Sequence, residues 1–246
     1  MIKKPFLSVI IPAYNEAERI PLTLVDIDKH LSSSKYPYEI IVVNDGSTDD
    51  TAEVVERFTG MIPNLRVAGY GENRGKGEAV KFGMLEATGR YRLFMDADNS
   101  TSIDHFDKMI PHFENGYDVV IGSRAHKQSK LTPPQSILRR LLGKGGNLII
   151  QALVLPGIWD TQCGFKCFTD TAAERIFPLQ KITGWGFDVE ILSLAKRLGF
   201  KIKQIPVVWV NDTESHVGAS AYIKTLIETL RIRIWLWLDR YGIKAR

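Results

Sequence analysis

Short apolar runs alternate with helically spaced apolar positions through the first half of the chain. Leu7–Ile11 (LSVII) is a run of strand length that ends at Pro12, bounded like a buried parallel strand. Behind it, Ile20, Leu24, Ile27 and Leu31 recur at helical spacing, and Asn15 with Glu18 three residues on has the form of a capping pair. The pattern then repeats. Glu39–Val43 (EIIVV) predicts a second strand, Asp45–Ser47 a turn, and Thr48–Phe58 a helix whose early acidic residues suit its positive end. Leu65–Ala68 and Gly75–Ala87 predict the third strand and helix, and Arg90–Met95 (RYRLFM) a fourth strand that stops at acidic residues. Alternation of this kind predicts an α/β fold: a mostly parallel, Rossmann-like sheet with helices on both faces, binding ligands beyond the carboxyl ends of its strands.

The rhythm loosens after Asp118–Ile121 (DVVI). Two long helical patterns follow, around Ser136–Leu155 and Ala221–Tyr241, with a strand broken by Pro206 between them at Lys201–Val210. The polar stretch His126–Gln135, with two prolines, reads as a loop. No linker or repeat divides the 246 residues, so one domain is expected. Residues 1–124 read as its nucleotide-binding half and 125–246 as its acceptor and interface half.

Composition narrows this only a little. Hydrophobic residues at 44% and charged residues at 24% exclude a disordered or fibrous chain. A net charge of +4 suits anionic partners without choosing among them. Cys163 and Cys167 lie too close to staple a large fold and lack zinc-site partners, so reduced thiols in a cytoplasmic setting are expected. No apolar run approaches the roughly 20 residues of a spanning helix.

The candidate chemistry sits at the predicted strand ends. Asp96 and Asp98 follow the fourth strand, and alternate residues of an extended segment point the same way, so both carboxylates can share Mg²⁺ or Mn²⁺. The competing reading is a solvated turn that caps the next helix. Asp45, ending the second strand, can accept from a ribose hydroxyl or a base N–H, or can simply make an Asp-Gly turn. Asn73–Gly77 (NRGKG) sets two glycines and two cations, Lys76 among them, at a helix mouth that suits a diphosphate, without the spacing of a P-loop.

SVIIPAYNE, VVNDGSTDDT, NRGKGEAV and MDADNS, in this order, resemble the family-two inverting glycosyltransferases of the nucleotide-diphospho-sugar (GT-A) fold. GSRAH at 122–126, DTQCGFKCF at 160–168 and WGFDVEIL at 185–192 resemble the dolichyl-phosphate β-glucosyltransferases more closely than the mannose synthases. The resemblance implies transfer of a hexose, glucose from UDP-glucose first and mannose from GDP-mannose second, to a polyprenyl phosphate. It implies that Pro12, Tyr14, Glu16 and Asp45 hold the nucleoside, and that Asp96, Ala97 and Asp98 hold metal and diphosphate. Arg124 would sit on phosphate, with Asp98 at the reacting centre. Where the mannose synthases carry an Arg followed by G-x-S-K, this chain reads SHVGASAY, which offers His216 and Ser220 to the acceptor phosphate. Ala221 replaces the lysine, and a neutral imidazole grips an anion less well than a guanidinium.

Ile223, Ile227, Leu230, Ile234, Trp237, Leu238 and Tyr241 share one face of the last predicted helix, which makes either a core stripe or a membrane-surface stripe. The tryptophans, flanking arginines and basic tail of IRIWLWLDRYGIKAR suit the surface reading, and Leu138, Leu141, Leu142 and Leu153 beside Arg139, Arg140 and Lys144 suggest a second such helix. Trp159, Trp185 and Trp209 read as core or acceptor-entrance residues. The expected partners are a nucleotide sugar, a lipid phosphate and the cytoplasmic face of a membrane, with no nucleic acid. A sugar nucleotidyltransferase would need a glycine-rich G-x-G-T-R start, and a processive synthase a Q-x-x-R-W segment; neither is present. A non-catalytic nucleotide-sugar-binding module would not need Asp96 and Asp98.

Overall fold

The computed structural model describes residues 4–133, 137–210 and 219–243. The first half follows the predicted alternation: β1 (Leu7–Ala13), α1 (Ile20–Leu31), β2 (Tyr38–Asp45), α2 (Thr51–Thr59), β3 (Leu65–Tyr70), α3 (Lys76–Glu86), β4 (Tyr91–Met95), α4 (His105–Glu114) and β5 (Val119–Ser123). The second half holds β6 (Lys130–Thr132), α5 (Ile137–Leu153), β7 (Phe165–Thr169), α6 (Asp170–Ile176), α7 (Phe187–Arg197), β8 (Ile202–Pro206), β9 (Val208–Val210) and α8 (Ala219–Trp237).

Seven strands make one sheet in the order β3-β2-β1-β4-β7-β5-β8, and β6 pairs with β9 in a separate ribbon. Every pairing in the large sheet is parallel except those of β7, which runs antiparallel between β4 and β5. The central strands β1 and β2 carry near-continuous apolar runs because both faces are covered. Side chains alternate between the faces, so Val9, Ile11, Leu93 and Met95 join the core under α1, α2 and α4, while Ile10 and Phe94 join the core under α3, α6 and α7. Full burial of a side chain such as Phe94 or Leu93 contributes about 1.5–3 kcal/mol.

Several local expectations are corrected. The Asn15–Glu18 pair does not cap α1, which starts behind Arg19 with no side-chain cap. Asn15 is instead left-handed (φ 55°), and its Oδ1 accepts from the Thr48 N–H at 2.8 Å, tying the loop after β1 to the loop after β2. The stretch read as a loop at His126–Gln135 contains β6. The broken strand at Lys201–Val210 is two strands in two sheets, since Val207 carries the chain from β8 to β9. Tyr241 does not join the exposed stripe of α8; it is buried, and its hydroxyl donates to Glu190 at 2.7 Å. Of the three tryptophans read as core or acceptor-entrance residues, Trp209 is buried and Trp159 and Trp185 are exposed, which excludes only the core alternative for those two. Cys163 and Cys167 are buried free thiols, and burial followed by the nearby Asp160 pushes Cys163 up to about 12. His216 and the side chains of Leu138, Arg139, Arg140, Leu141, Leu142, Lys144 and Ser220 lie outside the described residues.

Candidate active site

The carboxyl ends of β1, β2, β4 and β5, the start of the reversed β7, and the amino ends of α3 and α7 all meet at one edge of the sheet. Ligands in open α/β sheets bind at such an edge.

On the β1–β2 side, Pro12 and Ala13 lie buried in β1, Tyr14 is exposed, and Glu16 pairs with Arg19 at 2.7 Å. Asp45 is buried and accepts three hydrogen bonds from the loop before α3. Its carboxylate accepts from the Arg74 N–H at 2.8 Å, the Gly75 N–H at 3.0 Å and Asn73 Nδ2 at 3.2 Å. It therefore shapes the NRGKG loop, in addition to standing at the end of β2. Gly46, at φ 67°, allows this closeness, because a Cβ there would collide with the Glu72 backbone. Arg74 lies over the Tyr70 ring at 4.5 Å, and burial together with the neighbouring Asp45 raises the Tyr70 phenol.

The loop that Asp45 shapes delivers Lys76 to the acidic cluster. Lys76 Nζ lies 2.5 Å from Asp96 Oδ1 and 5.4 Å from the Trp185 ring. Burial alone would lower the Lys76 pKa, but Asp96, Asp188 and Asp98 more than offset it and raise it. Asp96 is seated by its own N–H, which donates to the Gly164 carbonyl at 3.1 Å. Its carboxylate lies against Gly164, where a Cβ would collide with Oδ2. Ala97 is buried, and its carbonyl accepts from Thr23 Oγ1 at 2.6 Å. Asp98 accepts from the Ser100 N–H at 2.9 Å; burial, then the charge on Asp96, raises its pKa. Both aspartates keep part of their surface exposed at the strand end, as a shared ligand requires.

Arg124 reaches this cluster but is already engaged. Its Nε and Nη2 donate to the two Asp160 oxygens at 2.8 Å each, its backbone N–H adds a third bond at 2.8 Å, and its guanidinium lies 4.7 Å from the Trp209 ring. Burial would lower its pKa, but Asp160 and more distantly Asp96 hold it raised. Nη1 makes no hydrogen bond among the described residues.

Sequence reasoning assigned no role to a second pair beneath these groups. Lys166, at 0% exposure in β7, donates to Asp188 Oδ1 at 2.5 Å and to the Cys163 carbonyl. Burial raises the Asp188 carboxyl, with Lys166 and Lys76 pulling the other way. The signal was present in DTQCGFKCF and WGFDVEIL, which place a Lys and an Asp inside apolar runs where an unpaired charge is very costly. The edge thus gathers Lys76, Lys166 and Arg124 against Asp96, Asp98, Asp160 and Asp188. This leaves one uncompensated negative charge among these seven groups.

The profile of the family described as Glycosyl transferase family 2 matches residues 8–177. The chain belongs to glycosyltransferase family 2. It is 41% identical over 253 residues to a dolichyl-phosphate β-glucosyltransferase of Dictyostelium discoideum, covering 98% of this chain and 77% of the relative. It is 36% identical over 251 residues to another enzyme of that description from Trichomonas vaginalis, covering 98% and 74%. The fold matches glucosyl-3-phosphoglycerate synthase of Mycobacterium tuberculosis, solved with Mn²⁺, UDP-glucose and phosphoglyceric acid, with a TM-score of 0.66 at 22% identity over 98% of this chain and 81% of that one. The chain is a glycosyltransferase of GT-A fold.

Proposed function

We infer that this family-2 enzyme transfers glucose from UDP-glucose to a polyprenyl phosphate with inversion, at the surface of a membrane. The observation that carries the reading is the placement of Asp96 and Asp98 at the carboxyl end of β4, partly exposed and short of positive charge, beside Lys76. The two relatives described as dolichyl-phosphate β-glucosyltransferases support the donor sugar and the acceptor.

The residues fit a divalent cation. Oxygen donors suit Mg²⁺ or Mn²⁺, and Lys76, a single cation bonded to Asp96, leaves the Asp98 carboxylate without an ion-pair partner among the described residues. Asp96 and Asp98 would hold the ion, which when bound stabilises the charge on the departing diphosphate. Lys76, at the amino end of α3, adds a fixed positive charge on the same side. The loops carrying Pro12, Tyr14, Glu16 and Asp45 form the nucleoside side in this reading. Arg124 offers Nη1 to the acceptor phosphate while Asp160 fixes the rest of the guanidinium. His216 and Ser220, whose side chains lie outside the described residues, are the further candidates for the acceptor phosphate.

A phosphate-monoester oxygen is anionic near neutral pH and needs no general base. That oxygen attacks the anomeric carbon, the new C–O bond forms as the bond to UDP breaks, and UDP leaves with the electron pair from the opposite face. The residues act by positioning two anions against each other and by balancing charge.

The apolar face of α8 supports a lipid-borne acceptor. Ile223, Ile227, Leu230, Ile234, Trp237 and Leu238 are exposed, and no helix among the described residues is long and apolar enough to cross a membrane. Docking from the cytoplasmic side fits a nucleotide-sugar donor. Incubation with Mg²⁺, a short polyprenyl phosphate and a panel of nucleotide sugars, followed by weighing the lipid product, tests the reading. A hexosyl product from UDP-glucose alone supports it, and a product only from GDP-mannose, or none, overturns it.

A further inference from the structure

We propose that α8 couples lipid docking to the active site: contact with an anionic bilayer fixes the loop over Lys76 through Glu228. The proposal rests on the lipid-acceptor reading above and adds to it a route by which the membrane acts on catalysis.

The two faces of α8 do different work. Outward lie the apolar residues already named, continuous with a shallow groove lined by Ile227, Leu230, Arg231, Ile234, Trp235 and Arg240. Apolar walls flanked by guanidinium groups match acyl chains beneath anionic headgroups, and Lys224 and Arg233 add to the positive charge on this helix. Inward lie Thr225, Thr229 and Ile232, all buried, and Glu228.

Glu228 is the strut. Its Oε2 accepts from the Gly186 N–H at 2.7 Å, and its carboxylate lies so close to Gly184 and Gly186 that a Cβ on either would approach it to 2.7 or 2.6 Å. This glycine-flanked loop carries Trp185, whose ring faces Lys76 at 5.4 Å, and Lys76 in turn holds Asp96. The same loop is pinned to the mouth of α3, where the Gly77 N–H donates to the Thr183 carbonyl at 2.8 Å. The turn that follows α8 grips the loop's entry: Tyr241 donates to Glu190, which also accepts from the backbone N–H groups of Lys181 and Ile182, and Lys181 Nζ donates to the Arg240 carbonyl at 2.8 Å. A helix that meets lipid on one face and holds this loop on the other must transmit any change in its seating to Trp185 and Lys76. Glu228 is accordingly a positioning residue.

The test uses the full chain, a short-chain polyprenyl phosphate, UDP-glucose and Mg²⁺, with or without vesicles of phosphatidylcholine alone or with phosphatidylserine. Vesicle flotation, the transfer rate and amide exchange at 182–186 are read together. Phosphatidylserine vesicles are expected to raise wild-type kcat at least about fivefold, the lower range of coupling between sites, and to slow exchange at Gly186. Glu228→Ala is expected to float with the vesicles like wild type yet lose both responses, while Glu228→Gln, which keeps an accepting oxygen, retains them. Glu228→Asp reads the same contrast if the alanine variant does not fold. Full stimulation and protection in Glu228→Ala overturn the coupling, and wild type that fails to float overturns the docking. An absence of transfer under every condition would defeat the proposed reaction instead, and the exchange data would still decide the coupling.

Discussion

Replacing Asp160 with alanine tests whether Arg124 is a braced structural cation as well as a candidate phosphate ligand. The substitution removes three bonds of 2.8 Å from the backbone N–H, Nε and Nη2 of Arg124 and one of 3.2 Å from the Gln162 N–H, and leaves a mostly buried guanidinium beside the Trp209 ring with only the more distant Asp96 to offset its charge. Breaking one side of a buried pair costs about 3–5 kcal/mol, because the remaining charge loses its partner. The Arg124 side chain retains 23% exposure, which lets water recover part of the loss and places the expectation near the low end, about 3 kcal/mol. With a urea slope of about 3 kcal/mol/M, the unfolding midpoint should fall by about 1 M. Pairing the change with Arg124→Met should restore more than half of that fall, since no unpaired charge then remains. A single-variant midpoint within about 0.2 M of wild type, or a double variant no better than the single, would refute the reasoning.

Three further outcomes follow from the same geometry. Gly164→Ala should lower kcat/KM by about 10²-fold with an unchanged circular dichroism spectrum, because the new methyl displaces the Asp96 carboxylate; an unaltered rate would sink that placement. Lys76→Met should raise the donor KM while tightening Mn²⁺ binding about tenfold by calorimetry, since it removes a competing cation from Asp96, and weaker Mn²⁺ binding would contradict this. Glu190 has a raised pKa, from burial that its hydrogen bonds only partly offset, so its stabilising contribution is complete below its unfolded value near 4.5 and is lost as pH rises through the folded value. Urea midpoints should therefore shift in favour of Glu190→Gln over wild type as pH is raised from 4 towards 7, and the opposite slope would show the sign to be wrong.

Much of the fold could be read from the sequence because its first half obeys one local rule. Each apolar run of strand length precedes a helix, and the carboxyl ends of two of those runs carry Asp45 and Asp96. The second half hides its plan. In β7 a fully buried lysine interrupts the apolar pattern, and only a partner brought from α7, Asp188, makes that burial tolerable. No sequence pattern announces a strand inserted antiparallel between β4 and β5, since that arrangement depends on long-range pairing. The site was legible as residue types at strand ends, but not in its pairings. Asp45 as the organiser of the Asn73–Gly75 loop, the Asp160 brace on Arg124 and the Glu228 strut all join segments far apart in the chain. Tyr241 leaves the exposed stripe for a reason of the same kind: the chain turns after α8 and carries its ring to Glu190, a partner 51 positions away.

In the proposed reaction Asp96 and Asp98 hold a divalent cation against the donor diphosphate. The most direct measurement is transfer from UDP-glucose to polyprenyl phosphate as Mg²⁺ or Mn²⁺ is titrated into chelator-treated wild type and Asp98→Ala. Wild type should show saturable activation, and the folded variant should lose at least about 10²-fold at every metal concentration. Undiminished transfer in excess chelator, or wild-type activation of Asp98→Ala, would contradict this.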